Sequence, residues 1–157
     1  MLTIYYGEAR GKTRLCTGTA VGAAVRDKNV LYVRFAPYAE ASEKSPLSLM
    51  QSITEIAPQA AVDDDPAQRS RNARAFFDSA VRMALTFQYG MLILDDVFDL
   101  IESGLLPAAE VYDFLSNAPD SVDVICTGMD VDEKFLRLAD AAVKLEITTT
   151  RDKERLI

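Results

Sequence analysis

The chain contains no histidine among its 157 residues, and this absence removes several kinds of active site. Serine–histidine and cysteine–histidine catalysis both need an imidazole to accept the proton of the nucleophile. Zinc sites built from histidine ligands are excluded for the same reason. Any proton transfer or metal binding must therefore rest on carboxylates, lysines, hydroxyl groups or phosphate.

Cysteine is scarce, because the chain has only Cys16 and Cys126. They lie far apart in the sequence, and their spacing matches neither a metal-ligand pair nor a redox-active pair. We expect two buried thiols in a reducing compartment. The opening segment MLTIYYG passes directly into an apolar strand pattern, so we expect no signal peptide and a cytoplasmic protein.

Excess positive charge and long apolar runs are also missing. The 17 lysines and arginines are outnumbered by 24 aspartates and glutamates, which gives a net charge of −7. Nucleic acids and anionic membranes bind cationic surfaces, so we expect neither as the main partner. No apolar run approaches the roughly 18 residues of a membrane span. The length suits one domain, which we place at residues 1–157.

Short apolar segments alternate with longer helical patterns along the chain. The predicted strands are 2–6, 29–35, 91–95, 122–127 and 141–147, and the predicted helices are 11–27, 66–88, 107–117 and 131–139. The segment MLILD at 91–95 is apolar at nearly every position, which is typical of a central parallel strand covered on both faces. The alternation predicts an α/β three-layer sandwich with a mainly parallel sheet of about five strands.

Two details of this pattern are more specific. Gly18 and Gly22 lie four residues apart in the first predicted helix, where each glycine costs about 1 kcal/mol relative to alanine. We interpret them as positions of close packing between this helix and the sheet. The stretch 36–65 is the least regular part of the chain, and we predict a short helix within it at 47–56.

A glycine loop follows the first predicted strand and reads Gly7-Glu8-Ala9-Arg10-Gly11-Lys12-Thr13. Glycines allow backbone N–H groups to turn inward, and the helix that follows offers its positive end to an anion. Lys12 would neutralise phosphate, and the Thr13 hydroxyl would join a magnesium site. Three residues separate the first glycine from the Gly-Lys pair instead of the usual four, and Glu8 would repel an anion. The alternative is a glycine turn with solvated charges, but the strand before it and the helix after it favour a phosphate site.

Two carboxylates, Asp95 and Asp96, end the predicted central strand. The carboxyl ends of parallel strands face one crevice, so these side chains are expected beside the glycine loop. One would hold Mg²⁺ or Mn²⁺ and the other would position a substrate, whereas the structural alternative is a helix N-cap. Thr127 and Gly128 end the next strand and are candidates for the same crevice, with a simple turn as the alternative.

Three residues near the end of the second predicted strand, Arg34, Phe35 and Tyr38, are weaker candidates for this crevice. An exposed aromatic ring there would stack on a flat ligand. Packing in the hydrophobic core is the more common role of a residue such as Phe35.

Together these motifs resemble those of the ATP:corrinoid adenosyltransferase family. The loop of that family reads Gly-Asn-Gly-Lys-Gly-Lys-Thr-Thr and has the same three-residue spacing. Its Leu-Asp-Glu strand end is similar to Leu-Asp-Asp at 94–96, and its Thr-Gly strand end is similar to 127–128. A later Leu-Ala-Asp at 138–140, followed by Glu146, also resembles the family. The similarity runs in order from residue 2 to about residue 147.

The resemblance implies a phosphate-loop NTPase-like fold and transfer of the 5′-deoxyadenosyl group from ATP to a reduced cob(I) corrinoid, with release of triphosphate. Such a reaction needs positioning and charge neutralisation rather than a base. Asp95 and Asp96 are then the expected catalytic residues and, with Thr13, the expected metal ligands. A homodimer that binds ATP and a corrinoid is implied as well. The residues expected to bind the nucleotide are Gly7, Glu8, Ala9, Arg10, Gly11, Lys12, Thr13, Arg14, Thr127 and Gly128.

The chain departs from the family pattern at several positions. Glu-Ala-Arg at 8–10 replaces Asn-Gly-Lys, Arg14 replaces the second threonine, and Met129 stands where an arginine is expected. The Phe-Thr-Trp stretch, the Lys-His tail and the N-terminal segment of the family find no counterpart. Two alternatives therefore stay open: a diverged ATP-binding sensor or assembly module, and a phosphate-loop ATPase or kinase in which Asp96 orients water or an acceptor hydroxyl.

Overall fold

The structure, a computed structural model, describes residues 1–36, 45–58 and 65–148, which form a six-stranded sheet flanked by helices. The strands are β1 (Leu2–Tyr6), β2 (Val30–Arg34), β3 (Ile53–Ile56), β4 (Met91–Asp95), β5 (Asp123–Gly128) and β6 (Ala141–Lys144). The helices are α1 (Lys12–Ala24), α2 (Pro66–Thr86), α3 (Val97–Glu102), α4 (Ala108–Ser116) and α5 (Glu133–Leu138). A 3₁₀ turn spans Pro46–Leu49.

Every strand pair among the described residues is parallel, in the order β3-β2-β4-β5-β1-β6. The chain leaves β1, passes β5 and β4 to reach β2, and later returns to form β4. The ends of β1, β4 and β5 therefore lie side by side, at the kind of crossover where open α/β sheets bind ligands. The prediction of an α/β sandwich with a mainly parallel sheet is confirmed.

Side chains of β4 point alternately into two hydrophobic cores, one on each face of the sheet. Leu92 and Leu94 join the core that α2, α3, α4 and α5 share, whereas Met91 and Ile93 join the core under α1. All five residues of β4 are buried, because helices cover both faces. The continuously apolar MLILD segment follows directly from this three-layer arrangement.

Both cysteines are free and buried, as predicted. Burial raises the pKa of the Cys16 and Cys126 thiols, so neither forms the thiolate that a nucleophile or metal ligand requires. No helix in the described part of the chain combines the length and apolar character that crossing a membrane requires.

The region between β2 and β4 differs from its prediction. The expected helix at 47–56 is wrong, because the chain forms the 3₁₀ turn and then the edge strand β3, which pairs with β2. The helix α3 was not predicted either. It begins directly after the Asp95-Asp96 pair. Tyr38 lies outside the described residues.

Gly18 and Gly22 do not pack against the sheet, so that interpretation of the first helix is wrong. Gly18 is exposed, and a Cβ atom added at either glycine meets no other atom within 4 Å. The face of α1 that contacts the sheet is formed by small residues at other positions: Cys16, Ala20, Ala23 and Ala24. The four-residue spacing placed the two glycines on one face of the helix, but it could not show whether that face meets the sheet or the solvent.

We predict that Gly18→Ala stabilises the protein. Alanine loses less backbone entropy on folding and finds open space at this position, so the free energy of unfolding should rise by about 0.5–1 kcal/mol. Urea denaturation checks this value. Gly128→Ala is the comparison, because its Cβ would overlap the Cβ of Phe98 and should destabilise the fold. A loss of stability in Gly18→Ala would contradict this prediction and would indicate that Gly18 packs closely against a neighbouring element.

Candidate functional site

The loop between β1 and α1 requires glycine at two positions. Gly7 has φ 109° and Gly11 has φ 115°, a region of backbone conformation that side chains disfavour. At Gly7 a Cβ atom would also overlap the carbonyl oxygen of Leu145, which follows β6. Gly11 has open space instead, and its backbone conformation turns the chain into α1. Both glycines of the predicted motif are therefore needed by the loop geometry.

The first half of the loop is anchored on the residues that follow β5 and β6, the two strands that flank β1 in the sheet. The Gly7 N–H donates to the carbonyl oxygen of Met129 at 3.0 Å, and the Ala9 N–H donates to that of Leu145 at 3.3 Å. These two amides are used by the protein itself. Any phosphate bound by the loop would therefore depend on the other loop amides and on charged side chains.

Lys12 folds back over the loop from the first turn of α1. Its Nζ donates to the carbonyl oxygens of Gly7 at 2.6 Å and Ala9 at 3.1 Å. The ammonium group thus lies in the concave side of the loop. A phosphate oxygen placed there would replace these carbonyls as the acceptor and would neutralise the lysine charge.

The other charged residues of the loop point outward. Glu8, Arg10 and Arg14 are exposed. The carboxylate of Glu8 acts on Lys144 at the end of β6: the pKa of Lys144 is raised first by Glu146 and also by the negative charge of Glu8. The repulsion between Glu8 and a bound anion that the sequence suggests is therefore reduced by exposure and by a nearby cation.

Asp95 is buried at the end of β4, where three hydroxyl groups surround its carboxylate. Its Oδ1 accepts from Thr127 Oγ1 at 2.8 Å and from Thr13 Oγ1 at 3.4 Å. Its Oδ2 accepts from the Tyr32 hydroxyl at 2.8 Å. Burial and the charge of Asp95 raise the pKa of Tyr32, so this residue remains a hydrogen-bond donor. The network joins α1, β2, β4 and β5 at one carboxylate.

Asp96 is held in a left-handed backbone conformation, with φ 66°. Its N–H donates to Thr127 Oγ1 at 2.7 Å, and it precedes α3 without making a side-chain capping bond. Burial, followed by the charges of Asp95 and Asp99, raises its pKa to about 6, while Lys12 and Arg34 oppose the shift. A strained, half-buried carboxylate beside the lysine is typical of a functional site rather than a helix cap.

Thr127 and Gly128 form part of the same corner rather than a simple turn. Thr127 links Asp95 and Asp96 through its hydroxyl, and Gly128 allows β5 to pass closely against Phe98 in α3. Beyond the glycine, the Met129 N–H donates to Asp99 Oδ1 at 2.6 Å. Sequence reasoning missed Tyr32 and Asp99, because each acts on a residue distant in the chain.

The residues after β2 have separate roles. Phe35 is buried in the core and its ring packs against Phe76 and Phe77, so it does not line the crevice. Arg34 pairs with Glu55 of β3 at 3.3 Å, and its positive charge acts on Asp96. Of these candidates, Arg34 therefore lies near the predicted carboxylates.

A cavity of about 650 Å³ opens beside the loop. Tyr6, Gly7 and Met129 line it. Its charged lining consists of Glu8, Glu102, Asp130, Lys144 and Glu146. With four carboxylates and one lysine, this cavity does not suit a triphosphate, which leaves Lys12 and the α1 end of the loop as the more suitable place for phosphate.

These features define an α/β protein with the architecture of the phosphate-loop NTPases, in which a glycine loop joins the first strand to a helix beside two carboxylates. The chain belongs to the family described as ATP:corrinoid adenosyltransferase BtuR/CobO/CobP, whose pattern matches residues 1–152. The predicted resemblance is confirmed.

Two curated relatives support this assignment. The corrinoid adenosyltransferase of Escherichia coli strain K12 is 27% identical over 150 residues, which cover 92% of this chain and 76% of the relative. The corrinoid adenosyltransferase of Escherichia coli O6:H1 strain CFT073 matches with the same identity and coverage.

We predict that Asp96→Asn changes the pH dependence of stability in the protein without nucleotide or metal. The folded-state pKa of about 6 lies above the unfolded value of 3.8, so the folded state binds more protons between these two pH values. The parent therefore loses stability as the pH rises from 3.8 through about 6. Asparagine cannot ionise and tolerates positive φ. The variant should exceed the parent by on the order of 1 kcal/mol above pH 7 and show no such pH-linked gain near pH 4.

Denaturation with urea at several pH values measures this difference. Asp27→Asn is a matched control, because Asp27 also has positive φ, at 58°, but is exposed. The control should show the same pH dependence as the parent. Parallel stability curves for the parent and Asp96→Asn would contradict the raised pKa.

Proposed function

We propose that the protein transfers the 5′-deoxyadenosyl group from ATP to a reduced cob(I) corrinoid and releases triphosphate. The observation that carries this proposal is the position of Lys12 inside a glycine loop whose next residue, Thr13, contacts the buried Asp95, in a chain of the corrinoid adenosyltransferase family. This arrangement offers a cationic loop beside two carboxylates, which suits a nucleotide triphosphate and its metal ion.

Lys12 is the main triphosphate ligand in this proposal. On binding, its Nζ would exchange the carbonyl oxygens of Gly7 and Ala9 for phosphate oxygens. The 13-residue helix α1 adds its positive end, and the exposed Arg10 and Arg14 add charge at the edge of the loop. The amides of Gly7 and Ala9 support the loop rather than the ligand.

The donor set fits Mg²⁺ or Mn²⁺, since Thr13, Asp95 and Asp96 supply oxygen atoms alone. Among the described residues, no three carboxylate or thiol side chains are placed so that together they could hold a metal ion, so phosphate and water would complete the coordination. Because three hydroxyl groups already donate to Asp95, we assign to this residue the orientation of Thr13 and of bound water. We assign to Asp96 the closer contact with the metal ion. A bound ion would supply positive charge that stabilises the departing triphosphate.

The proposed reaction needs no proton transfer by the protein. The cobalt centre of the reduced corrinoid donates an electron pair to C5′ of ATP, and the C5′–O bond breaks as triphosphate leaves with its electron pair. The protein must hold the two substrates in line and neutralise the leaving group. A chain without histidine can meet these requirements.

A second candidate function is an ATP-binding sensor or assembly module that transfers no adenosyl group. The exposed Met129 favours it, because this position follows the Thr-Gly strand end where the resemblance leads us to expect an arginine. The apolar side chain cannot contribute charge to the leaving group. In this case the loop would bind ATP as proposed, and only the transfer step would be absent.

We predict that Lys12→Ala weakens ATP binding by about 1.5–3 kcal/mol, or roughly 10- to 150-fold, because a charge-assisted hydrogen bond to phosphate is lost. Isothermal titration calorimetry measures the effect. Arg26→Ala removes the same charge from the exposed turn that follows α1, at the end opposite to the loop, and serves as the control. Equal affinities in the parent and Lys12→Ala would remove the loop from the proposal.

We predict that the purified protein, incubated with ATP, Mg²⁺ and chemically reduced cob(I)alamin, forms adenosylcobalamin with its characteristic absorption spectrum. Triphosphate should appear in equal amount. ATP binding without adenosylcobalamin would support the sensor or assembly function. Release of ADP and phosphate, without any change of the corrinoid, would instead support an ATPase.

A further inference from the structure

The backbone of Met129 connects α3 to the start of the glycine loop. Its N–H donates to Asp99 Oδ1 at 2.6 Å, and its carbonyl oxygen accepts from the Gly7 N–H at 3.0 Å. A single residue therefore receives support from a carboxylate on one side and supports the loop on the other. Its side chain is 54% exposed and takes no part in either bond.

The close approach of β5 to α3 gives Asp99 this position. Asp99 lies in the first turn of α3. A Cβ atom at Gly128 would lie 3.1 Å from Asp99 Oδ1 and would overlap Phe98, so the approach depends on glycine. Just before it, the hydroxyl of Thr127 accepts from the Asp96 N–H. The end of β5 is thus held to the β4–α3 corner at two nearby points.

The position of Gly7 matters for more than the loop backbone. Its carbonyl oxygen is the closer of the two acceptors of Lys12 Nζ, at 2.6 Å. Its N–H is fixed by Met129, and its positive φ of 109° leaves little choice of conformation. A shift of Met129 would therefore move Gly7 and with it the position of Lys12, the residue that we propose as the phosphate ligand.

We propose that Asp99 is a positioning residue of the nucleotide site, acting through the Met129 backbone on Gly7. This inference rests on the proposed function, because ATP is the ligand whose site is positioned. The carboxylate would not touch ATP. Its negative charge alone would disfavour triphosphate, so any benefit to binding comes from the hydrogen bond that it accepts.

Two substitutions at this position separate the hydrogen bond from the charge. Asp99→Ala removes both, whereas Asp99→Asn removes the charge and keeps an oxygen that accepts the Met129 N–H. Because the two variants carry the same charge, a difference between them isolates the acceptor. Asp113→Ala removes a carboxylate from the exposed surface of α4 and controls for net charge.

The first measurement uses the protein without ligand. Amide hydrogen exchange followed by NMR should show at least 10-fold faster exchange at Gly7 and Met129 in Asp99→Ala than in the parent, with protection restored in Asp99→Asn. The second measurement is ATP affinity by calorimetry. Asp99→Ala should bind ATP 3- to 10-fold more weakly than Asp99→Asn, and its KM for ATP should rise while its KM for corrinoid stays constant.

Two outcomes would overturn the proposal. Unchanged exchange at Gly7 in Asp99→Ala would show that the link does not hold the loop. Equal ATP affinities in Asp99→Ala and Asp99→Asn would show that the accepted hydrogen bond has no effect on the site. Absence of ATP binding in the parent would instead defeat the proposed function and the nucleotide role of Asp99 with it, while the exchange measurement still judges the link to Gly7.

Discussion

The buried carboxylate of Asp95 is the constraint on which the rest of the site depends. A buried charge is costly unless it is well hydrogen-bonded, and here three hydroxyl groups meet that need. The hydroxyls of Thr13, Tyr32 and Thr127 come from α1, β2 and β5. Satisfying one carboxylate therefore fixes the start of the first helix against three neighbouring strands, at the end of the sheet where the glycine loop lies.

This arrangement gives the two adjacent aspartates different properties. Both oxygens of Asp95 accept hydrogen bonds from hydroxyl groups, and these bonds connect the elements that meet at this corner. Asp96 lies beside that charge in a half-buried, strained position, and its pKa is raised to about 6 as a result. Two cations, Lys12 and Arg34, oppose the rise of this pKa. A ligand that brings a metal ion would favour the ionised form of Asp96, because positive charge lowers the pKa of a carboxyl group.

Much of the architecture was predictable from local patterns. MLILD at 91–95 indicated a central strand because burial on both faces requires apolar residues throughout. The segment 7–13 could be predicted as a glycine loop, because its glycines, lysine and threonine stand between a strand and a helix. The three-residue spacing could be interpreted only through the family resemblance. The residues by themselves do not distinguish a variant phosphate-binding loop from a glycine turn that matches by chance.

The errors have equally specific causes. The strand β3 has four residues, of which Ile53 alone is buried, so its sequence carries little strand signal. Gly18 and Gly22 share a face, but periodicity cannot tell which face meets the sheet. Tyr32 resembled any core aromatic residue, and its bond to Asp95 spans 63 positions. Contacts of this kind depend on strand order, which a single sequence does not determine.

Local geometry is also compatible with the proposed triphosphate site in a protein whose net charge is −7. The glycine loop concentrates the Lys12 ammonium group and the positive end of α1 in one place, and the charge of Glu8 is exposed near Lys144. Screening by salt weakens the distant negative charges more than these close contacts. The proposed chemistry then asks for nothing that histidine would provide: the corrinoid brings the nucleophile, and triphosphate leaves as an anion that needs cations rather than a proton donor.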